Sequence, residues 1–214
     1  MKRLRYPIAI DGIHIILFFL MVTLFAFFFT PFYVFFSFGI LFLWSILFFR
    51  NPKRVIAHVC EKSVYSPADG QVVATGPAEE PIFSKTQMTK ISIFMNVFNV
   101  HVNRSPVKAR VEGSLYKKGK FYVASKPSAS IENEQSALLL RWEDKPLVLV
   151  QIAGKIARRI VNYATLGCEL QCGQPFGLIK FGSRVDLYLP PDIKVLVQIG
   201  QKVLSGKTVL AQKK

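Results

Sequence analysis

The stretch FGLIKFGSRVDLYLP, residues 176–190, carries the pattern that decides the fold of this chain. Val185, Leu187 and Leu189 alternate with Arg184, Asp186 and Tyr188, and a period of two marks a β-strand. The same alternation recurs in Ile91, Ile93, Met95 and Val97 against Ser92, Phe94 and Asn96. It recurs again in Val195, Val197 and Ile199, ahead of a turn-forming Gly200. Leu147 to Val150 is apolar throughout and reads as a fully buried strand. Residues 66–70 and 203–207 read as tight turns between strands. Helical signals are few: Glu132 to Leu140 fits a short helix or the lead into the next strand. Many short strands predict a compact, mainly β sandwich or barrel over residues 51–214, long enough for one buried core.

The first 50 residues have a different composition. Between Gly12 and Phe49 there is no Lys, Arg, Asp or Glu. At about 1.5 Å per residue, one helix through that run would be nearly twice the ~30 Å hydrocarbon thickness of a bilayer. Two short spans fit, broken at Thr30-Pro31, where proline ends one helix and opens another. The expectation is a membrane-anchoring helical hairpin within residues 1–50, with helices near 9–29 and 32–49. A cleaved signal peptide fits less well, because the apolar run is too long and no small-residue cleavage site follows. Lys2, Arg3 and Arg5 precede the hairpin and Arg50, Lys53 and Arg54 follow it, while the link between its helices is uncharged. The positive-inside rule then places both ends, and the β domain, on the cytoplasmic side of the cell membrane.

The chain carries a net charge of +15, nearly all of it after Phe49. For a tethered domain the nearest partner for such charge is anionic lipid rather than nucleic acid. Three cysteines, Cys60, Cys168 and Cys172, have neither the number of a disulfide framework nor the spacing of a zinc site, and read as reduced, packed thiols. His58, just after the hairpin, reads as packed or solvated. Arg158-Arg159 reads either as a headgroup contact or as a solvated face.

An isolated Gly-Ser pair is a commonplace turn, so the context of Gly182-Ser183 matters. FGSRVDLYLP (181–190) resembles the self-cleavage site of the short, bacterial and archaeal phosphatidylserine decarboxylases. SPADG (66–70), FNVHVNR (98–104), ENE (132–134) and QIAGKIARRIV (151–161) resemble the same family, in the same order. The resemblance implies that Ser183 attacks the Gly182 carbonyl and that autocatalytic serinolysis releases a large chain, 1–182, from a small one, 183–214. Residue 183 then becomes a covalent pyruvoyl cofactor, which forms a Schiff base with phosphatidylserine and yields phosphatidylethanolamine. No metal is implied. His101 matches the family's base and Asp69 the carboxylate that orients it, by the logic of Ser-His-Asp sets. The bland readings are a strand histidine and a turn aspartate. Long-type relatives carry a second histidine where Phe98 stands, so the proton donor for decarboxylation is unassigned. Arg104 and Arg184 are candidates for the lipid headgroup, with a solvent-facing Arg184 as the alternative.

Two other readings make distinct predictions. A membrane-associated serine hydrolase would use Ser183, His101 and Asp69 in an uncut chain. A basic, lipoyl-like lipid-binding module would need no catalytic serine at all. Homo-oligomerisation is compatible with the sequence and not specified by it.

Overall fold

The computed structural model of the protein describes residues 4, 6–56, 62–124, 129–155, 159–180 and 182–213. They fall into two compact units, Met1–Lys53 and Arg54–Lys214. His58, Cys60, Arg158 and Phe181 lie outside the described residues, as do Lys2, Arg3 and Arg5.

In the first unit, α1 (Ile13–Phe29) and α2 (Phe32–Phe48) form the hairpin. They part at Thr30, whose φ of −136° and ψ of 161° are extended, as the residue before a proline prefers. The few polar side chains return their hydroxyls to the helix itself: Thr23 donates to Phe19 O at 2.7 Å, Ser37 to Tyr33 O at 2.8 Å and Ser45 to Phe42 O at 2.6 Å. Such bonds let hydroxyls sit in apolar surroundings without an unmet donor. The base of the hairpin closes where Ala9 N–H donates to Phe49 O and the Asn51 side chain donates to the carbonyls of Leu4 and Tyr6. Phe18, Met21, Phe25, Phe28, Phe32 and Phe36 point outward. The helical stretch Ile10–Phe29 is long and apolar enough to cross a membrane, and Phe32–Phe48 is a shorter apolar helix.

The second unit is built of β1 (Ser63–Tyr65), β2 (Gly70–Glu79), β3 (Gln87–Met95), β4 (Val102–Arg104), β5 (Ala109–Lys117), β6 (Gln135–Trp142) and β7 (Lys145–Ala153). It continues with β8 (Ile160–Asn162), β9 (Glu169–Leu170), β10 (Pro175–Ile179), β11 (Ser183–Leu189), β12 (Ile193–Val195), β13 (Lys202–Val203) and β14 (Val209–Lys213). A one-turn helix, α3 (Ala129–Glu132), precedes β6, so the ambiguous stretch 132–140 resolves into a helix end followed by a strand. The main sheet runs β13-β2-β3-β11-β7-β6-β5-β9, and two three-stranded sheets, β4-β10-β8 and β1-β14-β12, complete the unit. Every pairing among these strands is antiparallel. The mainly β domain, preceded in sequence by an apolar helix pair, is the architecture that the alternating runs and the uncharged stretch together predict.

β11 is the centre of the main sheet. It pairs with β3 from Ser183↔Met95 to Leu189↔Thr89, and with β7 from Ser183↔Ala153 to Tyr188↔Val148. Val185, Leu187 and Leu189 enter the principal core with Ile91, Ile93, Leu147 and Leu149. The opposite face is covered as well: Tyr188 packs with Met88, Ala137, Val148, Val150 and Ile152. All seven residues of β11 are therefore buried, where alternation alone suggested one solvated face.

Two other expectations need correction. The strand foreseen over Val195–Ile199 stops at Val195, and the chain turns through Gly200 at φ +90°. Cys172 is disulfide-bonded and Cys168 is a free, half-buried thiol, so the three thiols are not all reduced. Leu187, paired on both sides and 0% exposed, tests the central strand. Leu187→Ala should cost about 2–5 kcal/mol by leaving a cavity in a packed core, read from denaturant unfolding in detergent.

Candidate active site

Ser183 opens the central strand and Gly182 is the last residue outside it. Gly182 has a φ of +57°, a conformation that L side chains rarely adopt. Its carbonyl is seated on Gly154, at the end of β7: a Cβ at residue 154 would lie 2.1 Å from Gly182 O and 3.0 Å from its carbon. Gly154 thus permits the close approach of the two segments, while Gly182 permits the left-handed backbone. The Ser183 side chain is 0% exposed, and its hydroxyl faces the Met95 thioether at 3.4 Å.

His101 lies just before β4 and is 1% exposed. The Asn99 carbonyl stands 2.9 Å from its Nδ1. A carbonyl can only accept, so Nδ1 carries the proton and Nε2 is the basic nitrogen. The His101 carbonyl accepts from Ile179 N–H at 3.4 Å. That contact sets the histidine against the segment running through Lys180 into Gly182 and Ser183. The turn before it is built from amides: Asn96 N–H donates to Asn99 Oδ1 and Phe98 N–H to Asn96 Oδ1, both at 2.9 Å. Phe98, at the position of the long-type histidine, is 71% exposed at the tip of this turn.

Asp69 is held differently from the sequence expectation. Its Oδ2 pairs with Arg54 at 2.7 Å, and its Oδ1 accepts from Ser205 N–H at 2.7 Å. The carboxylate thus ties the 66–70 turn to the chain entering the domain and to the 204–207 turn, while the Nδ1 side of the imidazole is oriented by Asn99. The same turn reaches β4 through the backbone, where Arg104 N–H donates to Pro67 O at 2.9 Å.

Neither candidate headgroup arginine faces solvent. Arg104 is 4% exposed and donates to Gly173 O at 3.1 Å. Burial, with Arg54 adding like charge, draws its pKa down to about 10, and Asp69 opposes the shift. Arg184 is 3% exposed, ion-paired with Asp186 at 2.8 Å and donating to Ala124 O at 2.9 Å. It also meets the Ser130 hydroxyl. Lys90 joins from β3, 3.0 Å from Asp186. The pair covers the face of β11 opposite Ser183, which corrects both the headgroup and the solvent reading of Arg184. Asp186 and Glu80, together with the larger effect of burial, hold the Tyr188 phenol well above its ordinary pKa.

Several residues escaped the sequence reading. Asn133 of the ENE stretch is 0% exposed. It accepts from Tyr122 N–H at 3.0 Å and donates to Tyr122 O at 2.9 Å and Ala153 O at 2.7 Å. It thereby fastens the 120–124 segment to the end of β7, beside Gly154. Gln151 and Asn103 form a buried pair, Nε2 to Oδ1 at 2.8 Å. Gln151 continues the core-facing phase of Leu147 and Leu149, and an amide in that phase was the available signal.

Ser183 and His101 are both buried in a mainly β domain that follows, in sequence, an apolar hairpin consistent with membrane association. The family model for phosphatidylserine decarboxylase matches residues 41–211. A phosphatidylserine decarboxylase proenzyme of Geotalea daltonii is 52% identical over 166 residues, 77% of each chain. Proenzymes of the same name from Syntrophotalea carbinolica and Geobacter metallireducens are 45% and 43% identical, each over 98% of both chains. The chain belongs to the phosphatidylserine decarboxylase family and is a lyase.

Gly154→Ala should overpack the junction and cost about 1–3 kcal/mol, since the added methyl meets backbone rather than a flexible side chain. The thermal midpoint of the purified protein in detergent reads this loss.

Proposed function

We propose that the protein is a precursor that cuts itself between Gly182 and Ser183 and then, through a pyruvoyl group at residue 183, decarboxylates phosphatidylserine to phosphatidylethanolamine. The observation that carries this reading is the junction itself: a glycine at positive φ, its carbonyl pressed on Gly154, followed by a buried serine hydroxyl. The Ser183 oxygen attacks the Gly182 carbonyl carbon and the peptide C–N bond breaks, leaving an ester and a free amine at 183. Elimination expels the Gly182 carboxylate, and water displaces ammonia to leave a ketone.

His101 Nε2 is the proposed acceptor of the serine proton. Asp69 acts at one remove, by fixing the turn whose Pro67 carbonyl holds β4. A carbonyl group formed in place at residue 183 would supply the electron sink for loss of carbon dioxide. Pairing of β11 with β3 and β7, of β13 with β2 and of β14 with β1 holds residues 183–214 against the large chain after the cut. The products are a large chain, 1–182, and a small one, 183–214, that remain together.

The substrate's approach follows from the β4-β10-β8 sheet. β4 and β8 both run antiparallel to β10, so the start of β4, the end of β10 and the start of β8 share one edge. No Asp or Glu occurs in residues 95–104, 153–163 or 177–183. Lys155 and Arg159 are exposed and Lys180 is half-buried, with exposed Phe98 at the same edge. These cations take the headgroup role that the buried Arg104 and Arg184 cannot, and an anionic bilayer is the surface they suit.

Intact-mass spectrometry tests the cleavage. Wild type should yield a 183–214 fragment lighter by one ammonia than a chain with N-terminal serine, and Ser183→Ala should yield none. His101→Ala should slow its appearance by roughly 10²–10⁴-fold. An uncut wild-type chain that reacts with a fluorophosphonate would instead support the hydrolase. The cytoplasmic orientation rests on the basic flanks of the hairpin, while the Cys172 disulfide is of a kind more common in oxidising compartments. Protease added outside spheroplasts should leave the β domain whole; its digestion there would reverse the orientation.

A further inference from the structure

Beneath Ser183 the core face of the sheet carries a row of polar side chains that the reaction as described does not use. Ser183 Oγ lies 3.4 Å from Met95 Sδ. The same sulfur accepts from Asn103 Nδ2 at 3.7 Å. Asn103 Oδ1 in turn accepts from Gln151 Nε2 at 2.8 Å. Met95, Asn103 and Ser183 are 0% exposed and Gln151 is 1% exposed. The register agrees: Ser183 is paired with Met95 on one side and Ala153 on the other, and Gln151 lies two residues along β7 on the same face.

The row has a direction. Gln151 Oε1 finds no partner among the described residues, although an amide buried for packing alone would ordinarily use both ends. Only its N–H end is engaged, and it is engaged on Asn103. That donation demands Oδ1 of Asn103 and so turns Nδ2 toward the sulfur; a flipped Asn103 would set its N–H against the Gln151 N–H and its oxygen against the thioether. Gly177 of β10 lies against the same amide: a Cβ there would stand 2.3 Å from Val161 O and 3.1 Å from Gln151 Nε2. A thioether is a weak acceptor. It can orient a hydroxyl without retaining its proton, which is what a serine awaiting a base requires.

We propose that Gln151 and Asn103 are positioning residues for self-cleavage: Gln151 fixes the Asn103 amide, Asn103 fixes the Met95 thioether, and the thioether aims the Ser183 hydroxyl. The proposal rests on the precursor reading above. Its test follows the 183–214 fragment over time in the full-length protein, across pH, beside the thermal midpoint. Gln151→Leu keeps the volume and removes the donor, and should slow cleavage by roughly ten- to a hundredfold, the scale of a small misplacement of reacting atoms.

Gln151→Glu supplies a readout that packing alone would not move. Its neutral carboxylic acid can still donate to Asn103 Oδ1, whereas its carboxylate cannot. Cleavage in Gln151→Glu should therefore approach wild type at low pH and fall away as pH rises, relative to the wild-type profile. A folded Gln151→Leu protein that cleaves at the wild-type rate would overturn the proposal. If Gln151→Leu does not fold, a Gln151→Glu profile parallel to wild type overturns it alone. Wild type that never cleaves would instead remove the precursor reading on which the proposal stands.

Discussion

The structure turns on the contact between the Gly182 carbonyl and the backbone of Gly154. One residue later the chain is a strand hydrogen-bonded on both sides, with Ser183 opposite Met95 and Ala153. Gly182 itself has a φ of +57°, a left-handed conformation that glycine adopts at no steric cost. The bond between 182 and 183 is therefore the joint between a fixed element and a bent one. Any side chain at 154 would force the two apart, because what it meets is a carbonyl, not a movable side chain. Asn133 reinforces the joint by binding the Ala153 carbonyl next door.

Holding that joint still requires a central strand buried on both faces, and the sequence of β11 shows how this is tolerated. Val185, Leu187 and Leu189 supply the apolar face. Arg184 and Asp186 would be costly on the other if they were unpaired, since isolated buried charges are strongly disfavoured. They neutralise one another, and Lys90 and Ser130 complete the set. A buried ion pair of this kind does little for net stability compared with apolar packing. Its consequence is register: a slip of β11 by one residue would place the charges in the apolar core and Ser183 on the wrong face.

Much of this was legible in the sequence, for identifiable reasons. Long uncharged runs and strict alternation depend on local chemistry, so the hairpin and the strands around Ile91, Leu147 and Val185 were readable directly. Alternation tells which side chains share a face, not whether the second face is covered, so Arg184 was open between lipid and solvent while the structure buries it. Asp69 failed to reveal its partners because they are Arg54 and the Ser205 amide, the latter far away in sequence. The resemblance pairs Asp69 with His101 from two separate motifs, and no spacing along the chain announces that each carboxylate oxygen also holds a distant turn or entry segment. The disulfide at Cys172 was hidden by an odd cysteine count, which a free Cys168 accounts for.

The charges of the β domain divide by burial. Arg104 and Arg184 are inside and Arg54 is half-buried, each facing carboxylates or carbonyls of its own chain. Lys155 and Arg159 are outside, on an edge whose three converging segments contain no acid. A substrate that arrives as a headgroup on a surface suits this division. Its charge can be met at the rim by cations that cost nothing to expose, and only a small reacting group has to pass inward to a serine that water does not reach. If the apolar hairpin anchors the chain in a membrane, as proposed above, tight binding at that rim is unnecessary, because tethering raises the local concentration of lipid without any added contact. Under the proposed function, exposed cations and a buried Ser183 are complementary consequences of one constraint, that the reacting atom stays dry while its substrate stays in the membrane.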